Sequence, residues 1–182
     1  TTHLSDIDSQ GNAVALTASN AWTFGSRLMV RGFILNNQLT DFAFRPNTRG
    51  GALIANRAMP GKRPRSSMAP TLVFDGRGRV VMAIGSPGGT SIIGYVTKAL
   101  IAALDWKLNI QSAVDSANFL SRNDGLRIEA GTRLEKMVPA LEKIGHQVKL
   151  FNRASGLNGI FVNEGGLEGG ADKRREGVAL GD

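Results

Sequence analysis

The segment TLVFDGRGRVVMAIGSPGGT, residues 71–90, decides the fold of this chain. Its two apolar runs, residues 71–74 and 79–84, flank the turn sequence Asp75-Gly76-Arg77-Gly78, and this arrangement predicts a β-hairpin. The second run continues into Gly85-Ser86-Pro87-Gly88-Gly89, and a helical pattern follows from Ser91 to Leu104. A glycine-rich turn is therefore predicted to join a strand to a buried helix.

The rest of the chain contains similar short elements. A second hairpin is predicted at the amino terminus, where residues 4–8 and 13–17 flank Ser9-Gln10-Gly11-Asn12. Residues 45–65 are rich in Pro, Gly, Asn and Arg, which is typical of a long surface loop. Further strands are predicted at 33–35, 148–150 and 159–162, and further helices at 111–118 and 132–144, the last ended by Gly145. Together the elements predict an α+β layered fold with mainly antiparallel sheets.

Composition limits the classes of protein to which the chain can belong. The 182 residues fit one domain, the hydrophobic content of 42% is that of a globular protein, and no apolar run is long enough to span a membrane. The absence of cysteine excludes disulfides and thiolate metal sites, and His3 and His146 lack metal-ligand spacing, so no metal site is expected. The net charge of +7 is scattered along the sequence, which argues against nucleic-acid binding and favours an acidic partner surface.

Thr1 is the first candidate for catalysis. If processing exposes its α-amine, a single residue carries a hydroxyl nucleophile and the base that activates it, because such an amine has a pKa of about 7.7–8. The alternatives are the product of a signal peptidase and an arbitrary boundary of the sequence.

Three further groups of residues suit acyl transfer. The N–H groups of Gly88 and Gly89 could stabilise an oxyanion, although an ordinary strand-to-helix turn is the alternative. The adjacent hydroxyls of residues 66 and 67, with an arginine at 63 or 65, could bind a carboxylate. The amide and carboxylate groups of residues 36–41 could hold an ammonium group, or form an Asx-rich turn.

An ordered series of motifs covers nearly the whole chain. The motifs are Thr1-Thr2-His3-Leu4-Ser5, Asp8, Gly11-Asn12-Ala13-Val14, Phe24-Gly25-Ser26, Leu35-Asn36-Asn37-Gln38, Asp41-Phe42, residues 62–71, Gly85-Ser86-Pro87-Gly88-Gly89 and the tail from Gly170 through Arg174-Arg175 to Gly181. This set resembles the small, catalytic subunit of the γ-glutamyltransferase family. The resemblance implies an amino-terminal-nucleophile hydrolase with a four-layer αββα sandwich. It also implies that a precursor cleaves itself before Thr1, and that residues 1–182 form one domain sharing its core with a separate large subunit.

The resemblance assigns a role to each candidate residue. Thr1 attacks the γ-carbonyl of glutathione or another γ-glutamyl compound, and water or the amine of an amino acid or peptide then takes the acyl group. Ser19 stands where the family usually has a Thr beside the nucleophile, and Gly88 and Gly89 match the glycines of the oxyanion hole. The implied substrate-binding residues are Gln38, Asp41, Arg63, Ser66 and Ser67. No cofactor is implied, and the implied location is the periplasm, with the export signal on the large subunit.

Two departures from the family pattern leave other functions open. Ala21 stands where the family commonly has Asn or Glu, and the following loop, residues 26–33, is shortened. These departures motivate a second hypothesis, an acylase of the same family that acts on another acyl group, as cephalosporin acylases do. A third hypothesis is a non-catalytic binding subunit. A γ-glutamyl hydrolase and transferase remains the leading hypothesis, because Gln38, Asp41, Ser66 and Ser67 are all retained.

Overall fold

The computed structural model describes residues 1–152 and 154–181, which form two compact units. The smaller unit comprises Thr1 and Ala18–Ser67, and the larger unit comprises Thr2–Thr17 and the described residues from Met68 onward. The expectation of a single domain that shares its core with a large subunit stays a prediction.

The described residues contain short strands and helices in a mixed order. The strands are β1 (Thr2–Ile7), β2 (Ala13–Ala18), β3 (Met29–Val30), β4 (Phe33–Ile34), β5 (Thr71–Phe74), β6 (Val80–Gly85), β7 (Phe119–Ser121), β8 (Leu126–Glu129), β9 (Val148–Phe151), β10 (Asn158–Asn163) and β11 (Gly166–Ala171). The helices are α1 (Ile92–Leu104), α2 (Ile110–Asp115) and α3 (Val138–Lys143), with 3₁₀ turns at Gln38–Asp41, Gly89–Ser91 and Arg133–Met137. No helix among these residues is both long enough and apolar enough to cross a bilayer.

A four-stranded antiparallel sheet with the order β11-β10-β6-β5 lies at the centre of the larger unit. The hairpin predicted over residues 71–84 is confirmed as β5 and β6. Its turn is closed by the Asp75 carboxylate, which accepts the N–H groups of Arg77 at 2.8 Å and Arg79 at 3.0 Å. Sequence patterns did not predict β11, because Gly166-Leu167-Glu168-Gly169-Gly170-Ala171 lacks the β-branched and aromatic residues typical of strands.

The amino-terminal hairpin, β1 and β2, is also confirmed and packs against one face of this sheet. Alternation along β1 buries His3 and Ile7 on the same side. The strand is tied to the sheet by Asn158, whose Nδ2 donates to the carbonyl oxygen of His3 at 2.8 Å.

Helices α1 and α2 pack against β6, β10 and β11. The side chains of Met82 and Ile84 on β6 join Ile92 and Tyr95 of α1 in the hydrophobic core. Because side chains alternate along a strand, Gly85 faces away from Ile84 and towards β1. The larger unit therefore has a helical layer, a four-stranded sheet and a two-stranded hairpin, in that order.

The segment that follows α2 differs from the prediction. The helix predicted over residues 111–118 ends at Asp115, because Ser116 has an extended backbone with ψ 145°. Phe119–Ser121, for which the sequence predicts no element, is a strand in the three-stranded sheet β7-β8-β9, where β8 and β9 run parallel. This parallel pair is an exception to the antiparallel expectation.

The helix predicted over residues 132–144 is also wrong as a single helix. It consists of the 3₁₀ turn Arg133–Met137 followed by α3, whose first turn contains Pro139. Proline suits a first turn, where its missing N–H is not needed, but it cannot continue an existing ladder of hydrogen bonds. The predicted end at Gly145 is confirmed by its φ of +97°, and the N–H of His146 bonds to the carbonyl of Leu141 at 3.1 Å.

The smaller unit consists mainly of turns. The strand predicted at residues 33–35 is confirmed in part as β4, which pairs with β3. Residues 45–65, all of them described, contain no helix or strand, as the composition predicted.

Candidate active site

The hydroxyl groups of Thr1 and Ser19 form a pair in the smaller unit. Thr1 precedes β1, Ser19 follows β2, and their Oγ atoms lie 2.9 Å apart. Ser19 Oγ also accepts the N–H of Ala21 at 2.9 Å, so two hydrogen bonds fix the serine hydroxyl. Thr1 is exposed, which leaves its Oγ open to an electrophile while Ser19 orients it.

Ala21 has a left-handed backbone conformation with φ +66°. Alanine is strained there, whereas asparagine tolerates this conformation better than most residues. The family's frequent Asn at this position is therefore compatible with the backbone of this chain.

Gln38 and Asp41 lie together in the 3₁₀ turn, as their spacing suggested. Gln38 Nε2 donates to Asp41 Oδ2 at 2.6 Å, and the Asp41 carbonyl accepts Asn56 Nδ2 at 2.7 Å. Both side chains are half-buried. The turn therefore presents one carboxylate in a fixed position, with an amide beside it, and their role in binding stays a prediction.

Arg63, Ser66 and Ser67 lie on one extended segment without regular structure. Arg63 and Ser66 are exposed, and Ser67 is half-buried. The nearby N–H of Arg65 bonds to Asn56 Oδ1 at 3.0 Å, which anchors this segment to the same asparagine that holds Asp41. A shared carboxylate-binding role for these residues stays a prediction.

The glycine turn Gly85–Gly89 lies in the larger unit between β6 and α1. Gly88 has φ +141°, and a Cβ added there would lie 2.6 Å from Cε2 of the buried Tyr95, so only glycine fits. Gly89 has φ +57° and is exposed. Within residues 1–152 and 154–181, the structure pairs the N–H groups of Gly88 and Gly89 with no acceptor. Two adjacent N–H groups at a strand-to-helix turn can receive a developing oxyanion.

His3 of β1 is adjacent to Gly85, the residue at which this turn begins. Its Nδ1 lies 2.7 Å from Thr17 Oγ1 and its Nε2 lies 3.2 Å from Ser5 Oγ. The ring packs against Gly85 so closely that a Cβ added to Gly85 would lie 2.2 Å from His3 Cε1. Burial lowers the pKa of His3 to about 4, so the ring is neutral near pH 7. The alternation that buries Ile7 could have identified His3 as an inward-facing residue.

A buried polar cluster in the larger unit was not predicted from the sequence. Lys98 of α1 donates through Nζ to the carbonyls of Ala113, Val114 and Ser116 at the end of α2, at 2.9–3.2 Å. Burial, together with the charge of Arg174, lowers the pKa of Lys98 to about 8. Lysine within an apolar helix was the available signal, because a buried lysine requires partners. Within the described residues, no cluster of His, Asp or Glu has the geometry to hold a metal ion.

Comparison with known proteins shows the family to which this chain belongs. The whole chain, residues 1–182, matches the family model described as gamma-glutamyltranspeptidase. A glutathione hydrolase proenzyme from Escherichia coli (strain K12) is 36% identical over 185 residues, covering 96% of this chain and 31% of the relative. The acylase ACY 1 proenzyme from Pseudomonas sp. (strain SE83) is 33% identical over 184 residues, covering 99% of this chain and 32% of the relative.

Solved structures agree with the sequence comparison. A gamma-glutamyltranspeptidase from Pseudomonas nitroreducens, in complex with L-DON, is 31% identical with a TM-score of 0.86, and the match covers 100% of both chains. The α+β fold class of the amino-terminal-nucleophile hydrolases is thereby confirmed. The chain spans about a third of the length of the curated relatives it matches. These similarities show that the chain belongs to the gamma-glutamyltranspeptidase family.

Proposed function

We propose that this chain is the catalytic part of a γ-glutamyl hydrolase and transferase acting on glutathione or a related γ-glutamyl compound. Thr1 Oγ adds to the γ-carbonyl carbon, and its proton passes to the α-amine that processing exposes on the same residue. The tetrahedral intermediate collapses as that proton moves to the leaving amine, and a γ-glutamyl ester forms on Thr1. Water then releases glutamate, or the amine of an amino acid or peptide takes the acyl group.

The single observation that carries this proposal is the 2.9 Å contact between Thr1 Oγ and Ser19 Oγ. A nucleophilic hydroxyl is effective when a neighbouring group fixes its position and shares its proton, because orientation removes part of the entropic barrier. Ser19 meets this requirement with a second hydrogen bond from Ala21 that limits its own rotation.

The acyl-transfer step also needs donors for the oxyanion. Gly88 and Gly89 offer two backbone N–H groups that are not paired within the described residues. Backbone donors that are already oriented stabilise the charge of the intermediate without reorganising. This observation supports the oxyanion role assigned to the two glycines.

Selection of a γ-glutamyl group requires recognition of its α-ammonium and α-carboxylate. The Asp41 carboxylate, held by Gln38, suits the ammonium group. Ser66, Ser67 and Arg63 supply hydroxyl and guanidinium donors of the kind that bind a carboxylate.

The proposed partner is a large subunit derived from the same precursor. Two observations support it: the relatives are named proenzymes and are about three times as long as this chain, and the smaller unit exposes many large apolar side chains. The most exposed of these, with exposed fractions from 62% to 86%, are Trp22, Phe24, Leu28, Met29, Leu39, Phe44 and Leu53. Apolar surface of this extent is typical of an interface. Location in the periplasm stays a prediction, which fractionation of cells that produce the precursor would test.

The proposal is tested with a γ-glutamyl anilide, whose hydrolysis releases a coloured amine. The two subunits are produced as separate chains, with a removable leader before residue 1, so that loss of self-cleavage does not obscure loss of catalysis. Thr1→Ala is expected to abolish product release, and Thr1→Ser is expected to retain part of it because the hydroxyl remains. Equal turnover by Thr1→Ala and the unchanged protein would refute the mechanism.

A second candidate function is an acylase that acts on a different acyl group. Ala21 favours it, because the methyl group cannot form the contact that Asn or Glu would make, and the acylase ACY 1 proenzyme is among the similar relatives. Rates on glutaryl and γ-glutamyl anilides distinguish the two functions. A γ-glutamyl enzyme loses most of its rate when the α-amino group is missing, whereas an acylase accepts both substrates.

A further inference from the structure

A buried carboxylate, Asp172, lies just after β11 and is 1% exposed. Its Oδ1 accepts the backbone N–H of Arg174 at 2.9 Å and Arg174 Nη1 at 3.1 Å. Arg174 also pairs with Glu129 through two hydrogen bonds, at 2.5 and 2.9 Å. The carboxylate of Asp172 is therefore paired with a guanidinium inside the protein, as a buried carboxylate requires.

The second oxygen of Asp172 holds the segment Ser155-Gly156-Leu157. Ser155 Oγ donates a hydrogen bond to Asp172 Oδ2, and the N–H of Leu157 donates to the same oxygen at 3.3 Å. The backbone N–H of Asp172 returns a hydrogen bond to the carbonyl of Leu157 at 2.8 Å. Asn118 Nδ2 donates to Ser155 Oγ at 2.9 Å, so the serine hydroxyl both donates and accepts. Ser155 is itself fully buried.

This segment contacts the residues immediately before Gly88. The N–H of Gly156 donates to Ser86 Oγ at 3.2 Å, and Ser86 Oγ donates to the carbonyl of Pro87 at 2.6 Å. Gly156 lies so close to Pro87 that a Cβ added to it would be 2.6 Å from Pro87 Cγ. Ser86 is fully buried, so water cannot replace these contacts.

The opposite side of the turn is fixed as well, because Gly88 packs against Tyr95 of α1. The turn is thus held from one side by the helix and from the other by Ser155-Gly156-Leu157. Asp172 orders this second side through Ser155 and Leu157, and Arg175 also contacts it, with Nη2 bonded to the carbonyl of Ala154 at 3.3 Å.

We infer that Asp172 and Ser155 are positioning residues that fix the backbone N–H groups of Gly88 and Gly89 for the oxyanion of acyl transfer. This inference rests on the proposed function, because it assigns the two glycines to the oxyanion hole. Neither side chain contacts the reacting atoms; both act through Gly156, Ser86 and Pro87. Donors that stabilise an oxyanion act by being preorganised, so residues that hold them contribute to the turnover number and not to substrate affinity.

Two nearly isosteric variants test the inference. Asp172→Asn replaces the acceptor for Ser155 and Leu157 by a group that can present a donor, and Ser155→Ala removes the hydroxyl that links Asp172 to the segment. Each is expected to lower kcat at least about tenfold while KM changes less than about twofold, because a small displacement of catalytic groups has a large effect on rate. Ile110→Ala is the control for a general loss of core stability, because this side chain is fully buried in the larger unit and takes part in none of these hydrogen bonds.

A third variant moves the turn sterically. Gly156→Ala places a methyl group against Pro87 and is expected to lower kcat in the same way. Gly76→Ala is its control, because Gly76 lies in the β5–β6 turn and a Cβ there meets no atom within 4 Å.

Hydrogen exchange of the peptide containing residues 86–90 is measured in the assembled protein together with the kinetics. Faster exchange in Asp172→Asn and Ser155→Ala, with a lower kcat and an unchanged KM, supports the inference. Unchanged exchange in both variants overturns it, and so does an equal loss of kcat in Ile110→Ala. If the unchanged protein releases no amine from a γ-glutamyl anilide, the proposed function fails, and the exchange data still decide whether Asp172 and Ser155 fix the turn.

Discussion

The replacement Gly88→Ala tests the role of the glycine turn most sharply. The new Cβ would lie 2.6 Å from Tyr95 Cε2, whereas carbon atoms in contact are normally about 3.5–4.0 Å apart. Tyr95 is fully buried in the core and has little room to move, so the turn itself must shift by about 1 Å. A misplacement of about 1 Å can cost about 10²-fold in rate, which is also the scale of losing one oxyanion donor.

The assay is the release of amine from a γ-glutamyl anilide by the purified, assembled protein. We expect kcat to fall about 100-fold in Gly88→Ala. Gly78→Ala is the control, because Gly78 also has a positive φ, of 78°, but a Cβ there meets no atom within 4 Å. The control should lose about 1 kcal/mol of stability from backbone strain and keep its activity. A folded Gly88→Ala protein with a kcat within threefold of the unchanged protein would contradict the role of the turn in catalysis.

Three further predictions concern the residues around Thr1 and the glycine turn. Ser19→Ala should lower kcat about tenfold because Thr1 Oγ loses its partner, whereas Ser19→Thr should keep most of the activity in the same anilide assay. Burial lowers the pKa of His3 from 6.5 to about 4, so between these pH values the unfolded state binds a proton and the folded state does not. The free energy of unfolding should therefore fall by at most about 3 kcal/mol as the pH drops from 6.5 to 4. Denaturant unfolding at several pH values should show this loss in the unchanged protein and not in His3→Gln. The same pH dependence of stability in both proteins would contradict the prediction. Ala21→Asn should relieve backbone strain at φ +66° and lower KM for a γ-glutamyl anilide about threefold to tenfold, with no change for a glutaryl anilide.

The sequence predicts those parts of the fold that local chemistry decides. Asp75 and Gly78 fix the β5–β6 turn, and Gly145 ends α3 through its left-handed backbone, so these features could be identified from residue type alone. Strand β11 could not, because its glycine-rich sequence has no intrinsic strand preference and its pairing with β10 comes from the rest of the sheet. The division of residues 132–144 is explained by Pro139, which suits the first turn of α3 and cannot continue a preceding helix.

In the candidate site, too, the residue pattern predicts only those contacts that form between residues close together in the sequence. Gln38 and Asp41 are three residues apart, so a single turn brings them together and the sequence could predict their proximity. Thr1 and Ser19 lie 18 residues apart, and only the hairpin between them brings their hydroxyls into contact; the family resemblance supplied what spacing could not. The contact between Asp172 and Ser155, which are 17 residues apart, had no signal in the sequence, because it depends on how residues 155–157 pack beside the end of β11.

Every step of the proposed reaction depends on Thr1 as the nucleophile of acyl transfer. The most direct measurement is mass spectrometry of the peptides of the assembled protein after treatment with a glutamine-like diazo ketone. We expect one adduct per chain, located on Thr1, formed in proportion to the loss of anilide hydrolysis and absent from Thr1→Ala. An adduct on another residue, or complete inactivation with Thr1 unmodified, would contradict this role of Thr1.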